Sequence, residues 1–200
     1  MIKAITFDLD GMVFEPKGYF SKEIEKELGL PSDVVLEFFK NELGDCQRGR
    51  LDMKTVLERK YFPLWGWTKD FEDFAYWWFS GEKLNVGVIK LIERMKARRK
   101  NCVLLTNNEK YRLQWAIGRF RLDEIFDDIV LPYEVGAIKP EKEIFQAVLD
   151  KTGLHADEIV ACDDEEKKLT GGQELGMHVL AVESVEELEK ELNELCDVQN

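Results

Sequence analysis

A chain of 200 residues is long enough for one substantial core plus an insertion, and 44% hydrophobic with 34% charged content is that of a soluble globular protein. The formal net charge of −12 excludes nucleic acid as a bulk partner, because binding a phosphate backbone needs patches of Lys and Arg. No apolar run reaches the length of a membrane span, and the chain opens on a charged strand rather than a signal peptide, so no membrane partner is expected.

The first stretch, Met1 to Phe7, is rich in apolar and β-branched residues and runs into Asp8-Leu9-Asp10-Gly11, which predicts a short buried strand near 2–8. Asp8 then falls beyond the carboxyl end of a strand, where open α/β sheets keep their chemistry. The period of two along extended chain turns Asp8 and Asp10 roughly the same way, and like charges that close need a cation, a proton or both. From Glu15 to about Glu82 the period becomes helical, with Leu28, Val34, Val35, Leu36, Phe38 and Phe39 clustered and Pro31-Ser32-Asp33 reading as a helix start. This stretch ends in an aromatic load, Tyr61, Phe62, Trp65, Trp67, Phe71, Phe74, Tyr76, Trp77, Trp78 and Phe79. Aromatic residues at helical spacing form core, but Tyr76 to Phe79 covers every side of a helix, so part of the run is expected to face a cleft or another subunit.

Beyond the insertion, strands near 102–106, 129–131, 159–162 and 178–182 alternate with helices near 86–99, 109–119, 142–152, 166–175 and 184–195. That alternation predicts an α/β fold, a Rossmann-like parallel sheet with helices on both faces. The apolar run Cys102–Leu105 stops at Thr106-Asn107-Asn108, which offers a hydroxyl and free backbone N–H groups. Lys139 is a cation fixed before Pro140, and the run Ile159–Cys162 ends in Asp163-Asp164.

The order and spacing of these four places resemble the haloacid dehalogenase superfamily of phosphohydrolases, over nearly the whole chain. The resemblance implies a core of residues 1–14 and 83–200 and an inserted α-helical cap of residues 15–82. It places the nucleophile at Asp8, the general acid and base at Asp10, phosphate binding at Thr106, Asn107 and Lys139, and Mg²⁺ on Asp8, Asp10 (through its backbone carbonyl), Asp164 and, assisting, Asp163. Leu175-Gly176-Met177 keeps the frame of the fourth motif. One residue departs from it: Lys168 stands where the family has an asparagine or an aspartate, about one helical turn from Asp164.

The residue types suit phosphoryl transfer, which asks of a protein mostly positioning and charge neutralisation. A carboxylate nucleophile splits hydrolysis into two steps through an aspartyl-phosphate, and Asp10 would protonate the leaving alkoxide before deprotonating water. Asp10 also separates branches, since the family's dehalogenases lack that carboxylate and use no metal. The expected activity is a phosphatase acting on a small phosphorylated metabolite, with phosphomutase and a non-catalytic ligand- or partner-binding member as alternatives. A net negative surface repels a phosphate ester, so binding must rest on local metal and lysine charge.

The remaining features read as structural. Cys46, Cys102, Cys162 and Cys196 lie far apart without metal-ligand spacing, which indicates thiols in a reducing cytoplasm. The basic run from Lys96 to Lys100 closes a helix and offsets its dipole, and His155 and His178 are not placed to ligate metal. Val185, Leu188, Leu192 and Leu195 form a packing stripe, and a monomer or homodimer is expected.

Overall fold

The computed structural model describes residues 1–197. Five parallel strands, β1 (Ala4–Phe7), β2 (Asn101–Leu105), β3 (Asp128–Val130), β4 (Ile159–Asp163) and β5 (His178–Ala181), make one sheet in the order β3-β2-β1-β4-β5. β1 is central, pairing Ala4 to Asn101 on one side and Ala4 to Ile159 on the other. Because β1, β2 and β4 run the same way, their carboxyl ends bring Asp8, Thr106 and Asp163 to one edge. The order reverses between β1 and β4, the crevice where open α/β sheets hold ligands.

Alternation along the strands divides the core between two faces. Ile5, Phe7, Leu104 and Val160 pack with Leu91 and Ile92 of the helix Val86–Ala97 and with Leu188 and Leu192 of the C-terminal helix. Ala4, Val103, Ile159 and Ala161 pack on the other face with Ile144, Phe145 and Val148 of the helix Lys142–Thr152. The packing stripe read from Val185 to Leu195 thus meets the core, Leu188 and Leu192 buried and Val185 and Leu195 packed at its margin.

The helices between Phe20 and Phe79 enclose an apolar cluster of their own, centred on Phe38, Leu57, Tyr61, Trp65 and Phe74. The chain enters and leaves this region side by side, through a bridge between Phe14 and Leu84 and hydrogen bonds from Glu15 N to Lys83 O at 2.9 Å and from Asn85 N to Val13 O at 2.9 Å.

Two readings are refined. The helix expected over 166–175 is a 3₁₀ turn, Glu166–Leu169, followed by a short helix, Thr170–Glu174. Gly171 explains part of this: a Cβ there would collide with the Pro140 carbonyl, so the segment is laid against the Lys139 loop. The helices Leu122–Ile125 and Pro132–Val135 escape prediction because four residues are too few to show a period. All four cysteines are buried and free, and among the described residues no helix is long and apolar enough to cross a membrane.

Candidate active site

Asp8 follows β1 directly and is 2% exposed. Its Oδ1 accepts from the Leu9 N–H at 2.8 Å and lies 3.0 Å from Lys139 Nζ, which also bonds Asp163 Oδ2. Burial and the nearby Asp163 push the Asp8 carboxyl up, and the Lys139 charge opposes them. Asn107 anchors the lysine: its Nδ2 donates to Lys139 O at 2.8 Å, and its Oδ1 accepts from Lys139 N at 2.7 Å. Asp163 Oδ1 accepts from Glu165 N at 2.9 Å, which turns the chain so that Asp164 faces the cleft. One carboxylate oxygen each from Asp8, Asp163 and Asp164 lies within 4.8 Å of the others. Gly11 makes room for this cluster, since its φ is +76° and a Cβ there would run into the Asp164 carboxylate.

Asp10 belongs to a second group. Arg112, on the helix Lys110–Phe120, grips both its oxygens at 2.6 and 2.5 Å, and Asn108 Nδ2 donates to Oδ2 at 3.0 Å. The same Asn108 Nδ2 donates to the buried Thr106 hydroxyl at 2.8 Å, and its Oδ1 accepts from Arg112. Arg112 also donates to Glu82 Oε1 at 2.6 Å, and Lys17 Nζ lies 3.1 Å from that atom. Burial alone would raise the Asp10 carboxyl, but the Arg112 charge and the bonds from Arg112 and Asn108 outweigh it and hold the group at about 2.

These groups border a cleft of about 440 Å³ whose wall includes Asp10, Asn107, Arg112, Asp164, Lys168 and Lys17. The structure therefore brings Asp8, Asp10, Thr106, Asn107, Lys139, Asp163 and Asp164 to one sheet edge. Asp10 stands apart from the three-carboxylate cluster, its carboxylate committed to Arg112. Lys17, Glu82 and Arg112 are site residues that the sequence reading missed. No local spacing signalled Arg112, because Asn108 precedes the helix that carries it and its carboxylate partners lie far away in the chain.

The aromatic run is chiefly packing. Phe71, Phe74, Trp78 and Phe79 are buried, Trp77 stacks on Trp67 with centroids 5.5 Å apart, and Tyr76 is exposed. Only Trp78 of that run reaches the cleft, beside Phe20 and Phe39 from earlier helices.

Residues 12–182 match the family described as haloacid dehalogenase-like hydrolase. The chain belongs to this family. Among curated relatives of this haloacid dehalogenase-like hydrolase, the bifunctional epoxide hydrolase 2 of Mus musculus is 23% identical over 99% of the chain and 39% of its own length. The chain thus spans about two fifths of that relative. The GMP/IMP nucleotidase YrfG of Escherichia coli strain K12 is 29% identical over 88% of the chain and 80% of its own length. A crystal structure of a HAD family enzyme from Bacteroides thetaiotaomicron, in complex with magnesium and inorganic phosphate, superposes with a TM-score of 0.76 at 21% identity, covering 90% of this chain and 93% of that one.

Proposed function

We propose that this hydrolase cleaves small phosphomonoesters with Mg²⁺ as cofactor, passing the phosphoryl group first to Asp8 and then to water. The observation that carries the reading is the convergence of Asp8, Asp163 and Asp164 on one point, with the Lys139 ammonium against two of them. An all-oxygen set of three carboxylates fits a small hard cation, and the solved relative named with magnesium and phosphate supports the choice. When bound there, Mg²⁺ would neutralise charge on the phosphoryl oxygens.

Asp8 attacks phosphorus, the bond from phosphorus to the ester oxygen breaks, and Asp10 gives the departing oxygen its proton. Water then attacks the aspartyl-phosphate, Asp10 takes the proton of that water, inorganic phosphate leaves and Asp8 is restored. Lys139, Thr106 and the Asn107 backbone hold the phosphoryl oxygens. In the free enzyme Arg112 keeps Asp10 ionised, the form needed for the second step. The first step needs a proton there, and an incoming phosphate dianion raises the proton affinity of a neighbouring carboxylate.

Residues 15–82 act as a cap over a core of residues 1–14 and 83–200, and Phe20, Phe39 and Trp78 give the leaving group an apolar wall. Lys17, Arg112, Lys139 and Lys168 supply the local positive charge that a chain of net charge −12 otherwise lacks. Four buried thiols suit the reducing cytoplasm.

The test is phosphate release from a panel of phosphomonoesters, purine nucleoside monophosphates included, with and without Mg²⁺, for wild type and Asp8→Asn. Metal-dependent release lost in Asp8→Asn, together with a base-labile phosphoenzyme in wild type, is expected. Undiminished activity in Asp8→Asn refutes the mechanism. Lys168 in the three-carboxylate cluster favours a second reading, a ligand-binding member without turnover, and silence of the wild type on every ester would establish it.

A further inference from the structure

Lys168 departs from the family pattern, and the structure turns its side chain inward. Its Nζ lies 3.8 Å from Asp8 Oδ2, 3.5 Å from Asp163 Oδ1 and 3.6 Å from Asp164 Oδ1. These are the three carboxylates whose oxygens cluster within 4.8 Å of one another. An ammonium almost equidistant from all three sits where a cation shared by them would sit. The distances are too long for good hydrogen bonds, so the group is a charge among carboxylates and not a donor locked to one. Its one short contact points elsewhere, to Glu165 Oε1 at 2.8 Å.

The surroundings add two observations. Lys168 lines the cleft and keeps 21% of its side chain exposed while its ammonium reaches the buried Asp8 carboxylate, so the lysine touches both the cleft and the carboxylate cluster. Its backbone is fixed by the bond from Lys168 N to Glu165 O at 2.9 Å, which leaves movement to the four-carbon stem.

We propose that Lys168 is the resident counter-ion of the three-carboxylate site, holding Asp8, Asp163 and Asp164 together without metal, and that Mg²⁺ binds by displacing its ammonium toward Glu165. This rests on the reading of that cluster as the Mg²⁺ site. With Lys139 alone, three carboxylates and one ammonium leave a net charge of −2; Lys168 brings it to −1. The metal-free fold is thereby stabilised, and Mg²⁺ must compete with a tethered cation for the same oxygens. Glu165 already bonds the ammonium and is partly exposed, so the exchange requires no change of backbone.

The experiment is calorimetric titration of Mg²⁺ into metal-free wild type, Lys168→Met, Lys168→Gln and Lys168→Arg, beside thermal unfolding of each with a chelator and with Mg²⁺. The two neutral variants are expected to bind Mg²⁺ at least about tenfold more tightly than wild type, about 1.4 kcal/mol. They should melt lower than wild type in chelator and gain more from Mg²⁺, while Lys168→Arg stays near wild type. A Lys168→Met chain that folds only with Mg²⁺ present would support the same conclusion. Equal Mg²⁺ affinity in wild type and both neutral variants overturns the proposal, as does undiminished metal-free stability in both. Turnover is judged separately: an active wild type whose neutral variants bind Mg²⁺ no more tightly loses only the role of Lys168. Tighter Mg²⁺ binding by neutral variants of a chain silent on every phosphoester loses only the hydrolase reading.

Discussion

Replacing Arg112 by methionine keeps most of the volume and removes the guanidinium from two carboxylates at once. Leaving a buried charge without its partner costs about 3–5 kcal/mol, and the Glu82 side chain, 1% exposed, falls in that class. Lys17, 3.1 Å from Glu82, retains part of the compensation, so the lower end of the range applies. Asp10 adds about 0–1 kcal/mol, because its side chain is 47% exposed and water screens it. A total of about 3 kcal/mol corresponds, for a chain of this length, to a fall in Tm of about 6–12 °C. The assay is thermal unfolding at neutral pH of wild type, Arg112→Met, Glu82→Gln and the double variant, which should recover much of the loss by removing the orphaned charge. The pH dependence has a definite sign. A carboxyl lowered from 3.8 to about 2 stabilises the fold above its unfolded value, and that contribution disappears as pH falls through about 2. The Asp10 share of the difference between wild type and Arg112→Met should therefore shrink between about pH 4 and pH 2. An Arg112→Met protein melting within about 2 °C of wild type would refute the reasoning.

Asp10→Asn should retain phosphate binding yet lose turnover of esters with poor leaving groups far more than of those with good ones; equal losses on both would assign Asp10 a structural role. Burial raises the Glu109 carboxyl to about 7 despite the bonds it accepts from Arg112 N and Tyr111 N, so stability should decline as pH rises from about 4.5 through 7. Melting curves from pH 5 to 8 should be flatter for Glu109→Gln, and an unchanged slope would mean that the carboxyl ionises without cost. Phe39→Ala, at the cleft wall, should reorder rates among esters, whereas Trp77→Ala, stacked on Trp67, should lower stability and leave the rank order unchanged.

Asp8, Thr106 and Asp163 were legible because each ends an apolar run, and runs of parallel strand deliver their last residues to a common edge. Asp164 and Lys139 came with the family spacing, and the sheet itself with the alternation of periods. Arg112 was not legible, since its pairings reach 102 positions back to Asp10 and 30 to Glu82, and no local period encodes contacts of that length. The direction of Lys168 was left open for a related reason: a long stem on a short turn can point in or out, and only the carboxylates gathered from two strand ends decide it. The contiguity of Tyr76 to Phe79 shows that not all of it can be core, but which member faces the cleft is not visible, because the helices that cover Phe74 and Trp78 are joined only in three dimensions.

The central place of β1 has a kinetic side. A strand bonded on both flanks opens only when the whole sheet opens, so its amides should exchange with solvent at the rate of global unfolding, while loops and chain crossings exchange through local openings. Asp8 hangs from that slowest strand. Asp10, Lys17 and Glu82 sit on irregular segments nearer the cleft. Deuterium uptake followed by peptide would therefore divide the site in two, a rigid half around Asp8 and a yielding half around Asp10, Lys17 and Glu82. Ordering by a bound phosphate analogue should slow the second half and leave the first where it was.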